Sequence, residues 1–501
     1  MLRSRTSRPA RLALLGLALG ASACAPTSNA SSATTGGDGT TTTTKTTTGT
    51  DTKTVTTTGL GGHGGSGGAA GHGGGAAGHG GATGQGGSGG ATAQGGGGSG
   101  GATGQGGAGG VGGATGQGGN PADSDLDGDG WTPNQGDCCD TLAGGNCGDP
   151  ALVNPGAFEY PGNGVDDDCD PTTKDDLPFP DCSGKALATP TTALALINAM
   201  DLCQETTEAP ALAKKKWGII SAELSLADGS KAPPPTDLQV GVLAGYGASV
   251  KPLAGTTMAA LSSGTARAPG DAGYVHPQNG KKAGQLGNYS AGTQSAGPPD
   301  YVAAHGGLFP SPANCSSQCQ GQACNTSYDS VNLKARIRVP TNAKSLSYRF
   351  KFYSAEYPEF LCRQYNDFFV TLLTSSWLPD PNANPPQEPL PTDKNIAFDA
   401  NKNPVSVNNA FFQICFPVAG QPASCPGGTL ELVGTGMGGW DADLTDGGGT
   451  VWLTNDAPVV PGETIEIEFV TWDAGDHNVD SLVLLDKFRW NITPSTVGTH
   501  K

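Results

Sequence analysis

Between residue 24 and about residue 120 the chain carries almost nothing that can be buried. The stretch opens Thr/Ser-rich, "TTTTTKTTTGTDTKTVTTTG", and then turns Gly-rich, with "GATGQGG" recurring at Gly81, Gly101 and Gly113. Much of the chain's glycine, 81 of 501 residues, lies here, so no core forms and the segment is expected to be a disordered tether. A Gly-rich coil of this length has an end-to-end distance of roughly 50–60 Å. His63, His72 and His79 are isolated in it and are read as incidental. Whatever folds must lie beyond it.

What precedes it is an export signal. "MLRSRTSRPARLALLGLALGASAC" sets basic residues before an apolar run and closes on small residues and a cysteine. The run from Leu12 is too short to span a bilayer, which takes about 20 apolar residues. "LGASAC" resembles a lipoprotein signal, which implies cleavage of residues 1–23 and a diacylglycerol lipid on Cys24. Ala21-Ser22-Ala23 would also suit ordinary cleavage and release. Under the lipoprotein resemblance, Ala25 in place of Asp implies the outer membrane.

Export accounts for the cysteines. Of 13, all but Cys24 lie beyond residue 137, leaving an even number for disulfides in an oxidising compartment. Candidates include Cys138, Cys139, Cys147, Cys169, Cys182, Cys203, Cys415 and Cys425, and connectivity over 315–425 is left open. The formal net charge of −17 excludes nucleic acid as a natural partner, because phosphate binding needs a basic face.

Residues 121–181 concentrate that charge: 14 Asp and Glu159 against Lys174 alone. A segment this short and polar needs cations, disulfides or both in order to fold. In "DSDLDGDGWTPNQGDCCD", Asp125, Asp127 and Asp129 fall at positions 1, 3 and 5 of a D-x-D-x-D-G loop. Gly130 supplies the sharp turn and Trp131 stands where a backbone carbonyl would be a ligand. Gly136 occupies the position of an EF-hand glutamate, so this is not an EF-hand. Asp137 or a later residue must close the shell, and Glu159, Asn163, Asp166, Asp167, Asp168 and Asp170 are the candidates. Ca²⁺ is the expected ion.

The same residues resemble the MopE-type metal-binding motif of bacterial surface and secreted proteins. The likeness rests on "DSDLDGDGWTPNQGDC…NPGAFEYPGNGVDDDCD", about 48 residues. It implies ligands among Asp125, Asp127, Asp129, Asp137, Asp166 and Asp168, and a Cys138–Cys169 disulfide. Cys139 departs from the pattern where Asp is usual, and Cys147 is extra, so the two are read as an added disulfide.

Residues 182–501 read as one mainly β domain, a jelly-roll-like antiparallel β-sandwich with a short N-terminal helix in "TPTTALALINAMDLC". In "SYRFKF", Tyr348, Phe350 and Phe352 share one face while Arg349 and Lys351 share the other. In "ETIEIEF", Ile465, Ile467 and Phe469 oppose Glu466 and Glu468 in the same way. Long loops are expected around 264–330 and after Trp377. Over roughly 215–491 the domain resembles the choice-of-anchor L family of bacterial exported proteins, through "FYSAEYPEFLCRQYNDFFVTLL", "NIAFDANKNPVSVNN" and "GGGTVWLTNDAPVVPGETIEIEFVTWDAGDHNVDSLVLLDKFRW". That resemblance implies an extracellular module and assigns no catalytic residue.

Two constellations in the domain could carry chemistry. Asp473, Asp476 and Asp480, with His477, offer a possible second metal site, and Glu356, Glu359, Asn366 and Asp367 gather near one strand junction. Trp440, Trp452 and Trp472 belong either to the core or to a glycan platform. No H-E-x-x-H, P-loop or nucleophile elbow is present. The expected function is therefore non-enzymatic: a cell-surface lipoprotein that presents a Ca²⁺-stabilised acidic module and a β-sandwich for adhesion or matrix contact. A polysaccharide-binding module is the alternative, and a secreted hydrolase comes third. A surface polysaccharide or protein is the expected ligand, alongside the membrane that the lipid would enter. The sequence leaves the oligomeric state open.

Overall fold

A strand that alternates apolar and polar residues has one face to bury, and two such sheets close on each other. In the computed structural model they do so. It describes residues 121–141, 147–173, 175, 182, 191–277, 289–310, 325–409, 411–417, 425–438 and 446–501. The leader, Cys24, the tether, Trp440 and the cysteines at 315, 319 and 324 lie outside these residues.

With strands numbered in chain order, the first sheet runs β1 (Gly218–Ser225), β5 (Thr326–Arg338), β12 (Thr464–Ala474), β7 (Phe368–Thr374), β8 (Val405–Ser406), and β4 (Gln294–Ala296) adds to β5. The second runs β14 (Gly498–His500), β11 (Leu453–Pro458), β6 (Ser345–Ser354), β13 (Ser481–Asn491), β3 (Met258–Ser262), β2 (Val240–Leu243). There β10 (Gly448–Thr450) links β6 to β9 (Phe412–Cys415). All these ladders are antiparallel. The alternating residues meet between the sheets: Tyr348 packs edge-on to Phe469 at 5.1 Å, and Phe350 lies 5.0 Å from Phe369. The helix α1 (Ala193–Ala199) is capped by Thr192, whose side chain accepts from the Ala195 amide, and it buries Leu196 and Ile197 in the same core.

The outer faces differ from the sequence expectation. Lys351, expected on a solvated face, is fully buried. A second apolar layer covers that side of the sheet: Tyr246, Val250, Leu432 and Met437 cluster with Tyr353, Leu482 and Leu484. The Lys351 ammonium pairs with Glu431 and lies 5.7 Å from the Trp452 ring. On the first sheet, α2 (Pro299–Ala304) and Phe309 fall inside what the sequence suggests is a long loop. They cover Phe368, Val470 and Trp472. This double coverage explains the near-continuous apolar runs "FFVTLL" and "SLVLL", which do not alternate. At the other end of β12 the alternation reaches solvent, where Lys334 pairs with Glu466 at 2.9 Å and Glu468 at 3.5 Å.

The acidic segment is joined to this body. Phe158 is buried in the inter-sheet core, and the Asn342 side chain holds its backbone in both directions: the Phe158 amide donates at 3.0 Å and Asn342 Nδ2 donates to the Phe158 carbonyl at 2.8 Å. Thr341 Oγ1 donates to Asn154 Oδ1 at 2.6 Å. Residues 341–342 form the turn between β5 and β6, so the segment sits on that end of the sandwich. Burial of a phenylalanine stabilises by about 2–3 kcal/mol, which the segment could not obtain from its own composition.

Candidate metal centres

The loop 125–131 folds by turning each carboxylate back on its own backbone. Asp125 accepts from the amides of Gly128 (2.7 Å) and Gly130 (3.0 Å), Asp127 from Asp129 (3.1 Å), and Asp129 from Trp131 (2.7 Å). Gly130 has φ +93°, a left-handed conformation that a side chain would strain. Trp131 is buried and fixes the loop from below. Asp125 thus gives both of its oxygens to the backbone, while Asp127 and Asp129 give one each. Asp127 Oδ2, Asp129 Oδ2 and Asp137 Oδ2 are buried and accept no hydrogen bond. A buried carboxylate oxygen without a partner is costly, and hard divalent cations are the partners that carboxylate oxygens suit best.

Three groups bring one carboxylate oxygen from each of three acids within 4.8 Å of one another: Asp125, Asp127 and Asp129; Asp127, Asp137 and Asp140; and Glu159, Asp166 and Asp168. That spread matches ligands about 2.4 Å from a shared Ca²⁺. Asp127 belongs to two groups, so the first loop meets Asp137 and Asp140. The residues around 159–168 assemble a group of their own. Asp140 was missed in the sequence because it follows the adjacent cysteines and breaks the alternating pattern. Asn163 is engaged otherwise: its Nδ2 donates to Asp167 at 2.8 Å and its Oδ1 accepts from the Val165 amide. Two disulfides frame the groups, Cys138–Cys169 and Cys139–Cys147; Cys182–Cys203 and Cys415–Cys425 lie in the rest of the body.

The electrostatics follow from this crowding. Burial first, and then the charges of Asp127 and Asp137, push Asp129 up to about 6. Burial and neighbouring Asp167 push Glu159 up to about 7. Asp127, Asp137 and Asp168 are raised for the same leading reason. Among the described residues Lys216, beside Asp168, is the cation that relieves these carboxylates, which otherwise repel one another.

At the opposite end of the sandwich the second constellation divides. Asp473 and Asp480 are buried, but Asp476 is half-exposed and its carboxylate accepts from the Asn478 amide. Glu356 and Asp367 are buried beside them, while Glu359 is exposed. His477 lies against Asp329 on β5. Its Nδ1 lies 2.9 Å from Asp329 Oδ2 and 3.3 Å from Ser290 Oγ, which itself donates to Asp329. A nucleophile relay needs serine on one ring nitrogen and the acid on the other. Here both lie on the same nitrogen. Trp472 is fully buried and stacks on Phe368 at 5.0 Å, which removes it as a glycan platform, and Trp452 is half-buried against Lys351.

The strands that carry this second cluster decide the family comparison. Residues 322–489 match the Choice-of-anchor L domain. The Choice-of-anchor L match runs from β5 to β13, and so takes in the inter-sheet core and the buried acids but not residues 121–181. No curated protein and no solved structure matches the chain. A Choice-of-anchor L domain implies an exported bacterial protein associated with the cell surface.

Proposed function

We propose that the chain is a lipid-anchored surface protein that presents a Ca²⁺-stabilised acidic module, fused to a Choice-of-anchor L sandwich, for adhesion or contact with extracellular matrix. It acts by binding and not by catalysis. The observation that supports this reading most is the set of inward, unpartnered oxygens of Asp127, Asp129 and Asp137. An acidic loop built only for solubility would turn these oxygens to water. The Cys24 lipid and the tether would hold the body tens of Å from the membrane, and no helix among the described residues is long and apolar enough to cross one.

The test uses cells displaying the full chain. Attachment to matrix-coated surfaces is expected to fall on chelation and to return with Ca²⁺. Cys24→Ser is expected to abolish fatty-acid labelling and release the protein. Attachment that is indifferent to chelator, together with unchanged labelling in Cys24→Ser, would overturn the reading.

A further inference from the structure

Four acids converge where the two sheets meet, away from the acidic module. Asp367 immediately precedes β7 and Asp473 lies in β12. Because Trp472 pairs with Phe368, the antiparallel register sets Asp473 opposite Asp367. Asp480 immediately precedes β13 of the second sheet, and its carbonyl accepts from the Ala355 amide. Glu356 follows β6 and its Oε2 accepts from the Asp367 amide at 3.4 Å. All four are at most 3% exposed.

Two of the four are satisfied differently from the others. Asp367 accepts from Ser481 Oγ at 2.5 Å and from the Ala474 amide at 3.2 Å. Asp480 accepts nothing, and Asp473 has only Ser263 and Asp367 beside it and no hydrogen bond of good geometry; all four of their carboxylate oxygens are buried. The nearest hydroxyl to Asp473, on Ser263, is engaged with the amide and carbonyl of Ser481. No salt bridge to either acid is found among the described residues, and the imidazole of His477 pairs with Asp329. The fold also makes room for Asp480. A Cβ on Gly264 would fall 1.9 Å from Asp480 Oδ2, so only glycine is tolerated there. Asp473 lies close enough to Asp367 for the two to share a proton, but Asp480 has no such partner. A cation that takes only oxygen ligands resolves the four bare oxygens together.

We propose that Asp473 and Asp480, with Asp367 beside them, hold a divalent cation of the Ca²⁺ class that ties the first sheet to the second. The three groups of the acidic module are the tighter ones, with ligand oxygens within 4.8 Å. At the sheet junction the ion takes two of the acids directly and completes its shell with water or hydroxyl oxygens. This site is independent of the module at 121–181 and does not rest on it.

The experiment is ion stoichiometry and thermal unfolding of the full chain with Ca²⁺ or chelator, comparing the unsubstituted protein with Asp473→Asn and Asp480→Asn. Each variant is expected to bind one ion fewer per chain and to lose part of the Ca²⁺-dependent rise in melting temperature. An unchanged stoichiometry, with a melting temperature raised equally in Ca²⁺ and in chelator, would mean that neutralising a bare acid simply relieves repulsion, and would overturn the site. Should the variants not fold, Tb³⁺ bound in place of Ca²⁺ and excited through tryptophan decides it. Trp472→Phe is expected to remove one component of the sensitised emission, and identical emission would overturn the proposal.

Discussion

At the scale of single residues, Asp127 is the one on which two ligand groups depend, since its carboxylate belongs with Asp125 and Asp129 and also with Asp137 and Asp140. Asp127→Asn is therefore expected to weaken Ca²⁺ binding more than Asp140→Asn. The loss should be at least the roughly ten-fold that even outer-shell partners of a metal cost. Calorimetric titration of the two variants checks this, and equal affinities would count against a shared ligand. The D-x-D-x-D-G spacing made Asp125, Asp127 and Asp129 legible because a short loop encodes its own geometry. Asp140 was not legible, because its approach depends on a turn and two disulfides. Lys351 was misread for a related reason. Alternation assigned it to solvent, and the residues that cover it, Glu431 and Trp452, lie about 80 to 100 positions away.

At the scale of elements, β13 carries a titratable group in its interior. Asp486 is fully buried, and burial, then the nearby charge of Asp201, pushes it up to about 6 despite the amides of Leu253 and Lys487 that donate to it. Arg489 is committed to Asp201 at 3.1 Å. The folded state thus binds a proton that the unfolded chain, with an aspartate near 3.9, has released. Stability from this group is complete below about pH 4 and is lost as pH rises through about 6, an effect on the order of 3 kcal/mol. Asp486→Asn is expected to flatten the fall of stability between pH 4 and 7 whatever constant cost it adds, and denaturant unfolding across that range reads the slope. Element by element, the long strands β5, β6, β7, β12 and β13 were legible from period-two patterns and apolar runs. The short β3, β4, β8, β9 and β14, and the helix α2, were not. Two to six residues carry too little pattern, and pairing with a distant strand, not local preference, makes the short strands extended.

For the whole molecule, the acidic module and the sandwich share one core through Phe158 and the Asn342 clasp. The sequence suggested a small unit held by ions and sulfur alone, since apolar residues there are few. The structure places the decisive one, Phe158, in the partner layer. Phe158→Ala is expected to cost about 3–5 kcal/mol and to lower the melting of the sandwich along with the module, while leaving the carboxylate groups in place. A calorimetric scan in which only a minor early transition moved would show the two to be uncoupled.

The Cys138–Cys169 bridge has a mechanical consequence. A body reached from its N-terminal side receives any pull at residue 121 and passes it inward. The bridge spans a sequence separation of 31, so the chain between the two sulfurs, including Asp140, Glu159, Asp166 and Asp168, is bypassed by the load. About 100 Å of extensible chain is thereby withheld. Tension entering at residue 121 therefore loads the Asp125–Asp137 stretch ahead of Cys138 and then crosses the sulfur link, so the Glu159, Asp166 and Asp168 group is shielded from the pull while the first loop is not.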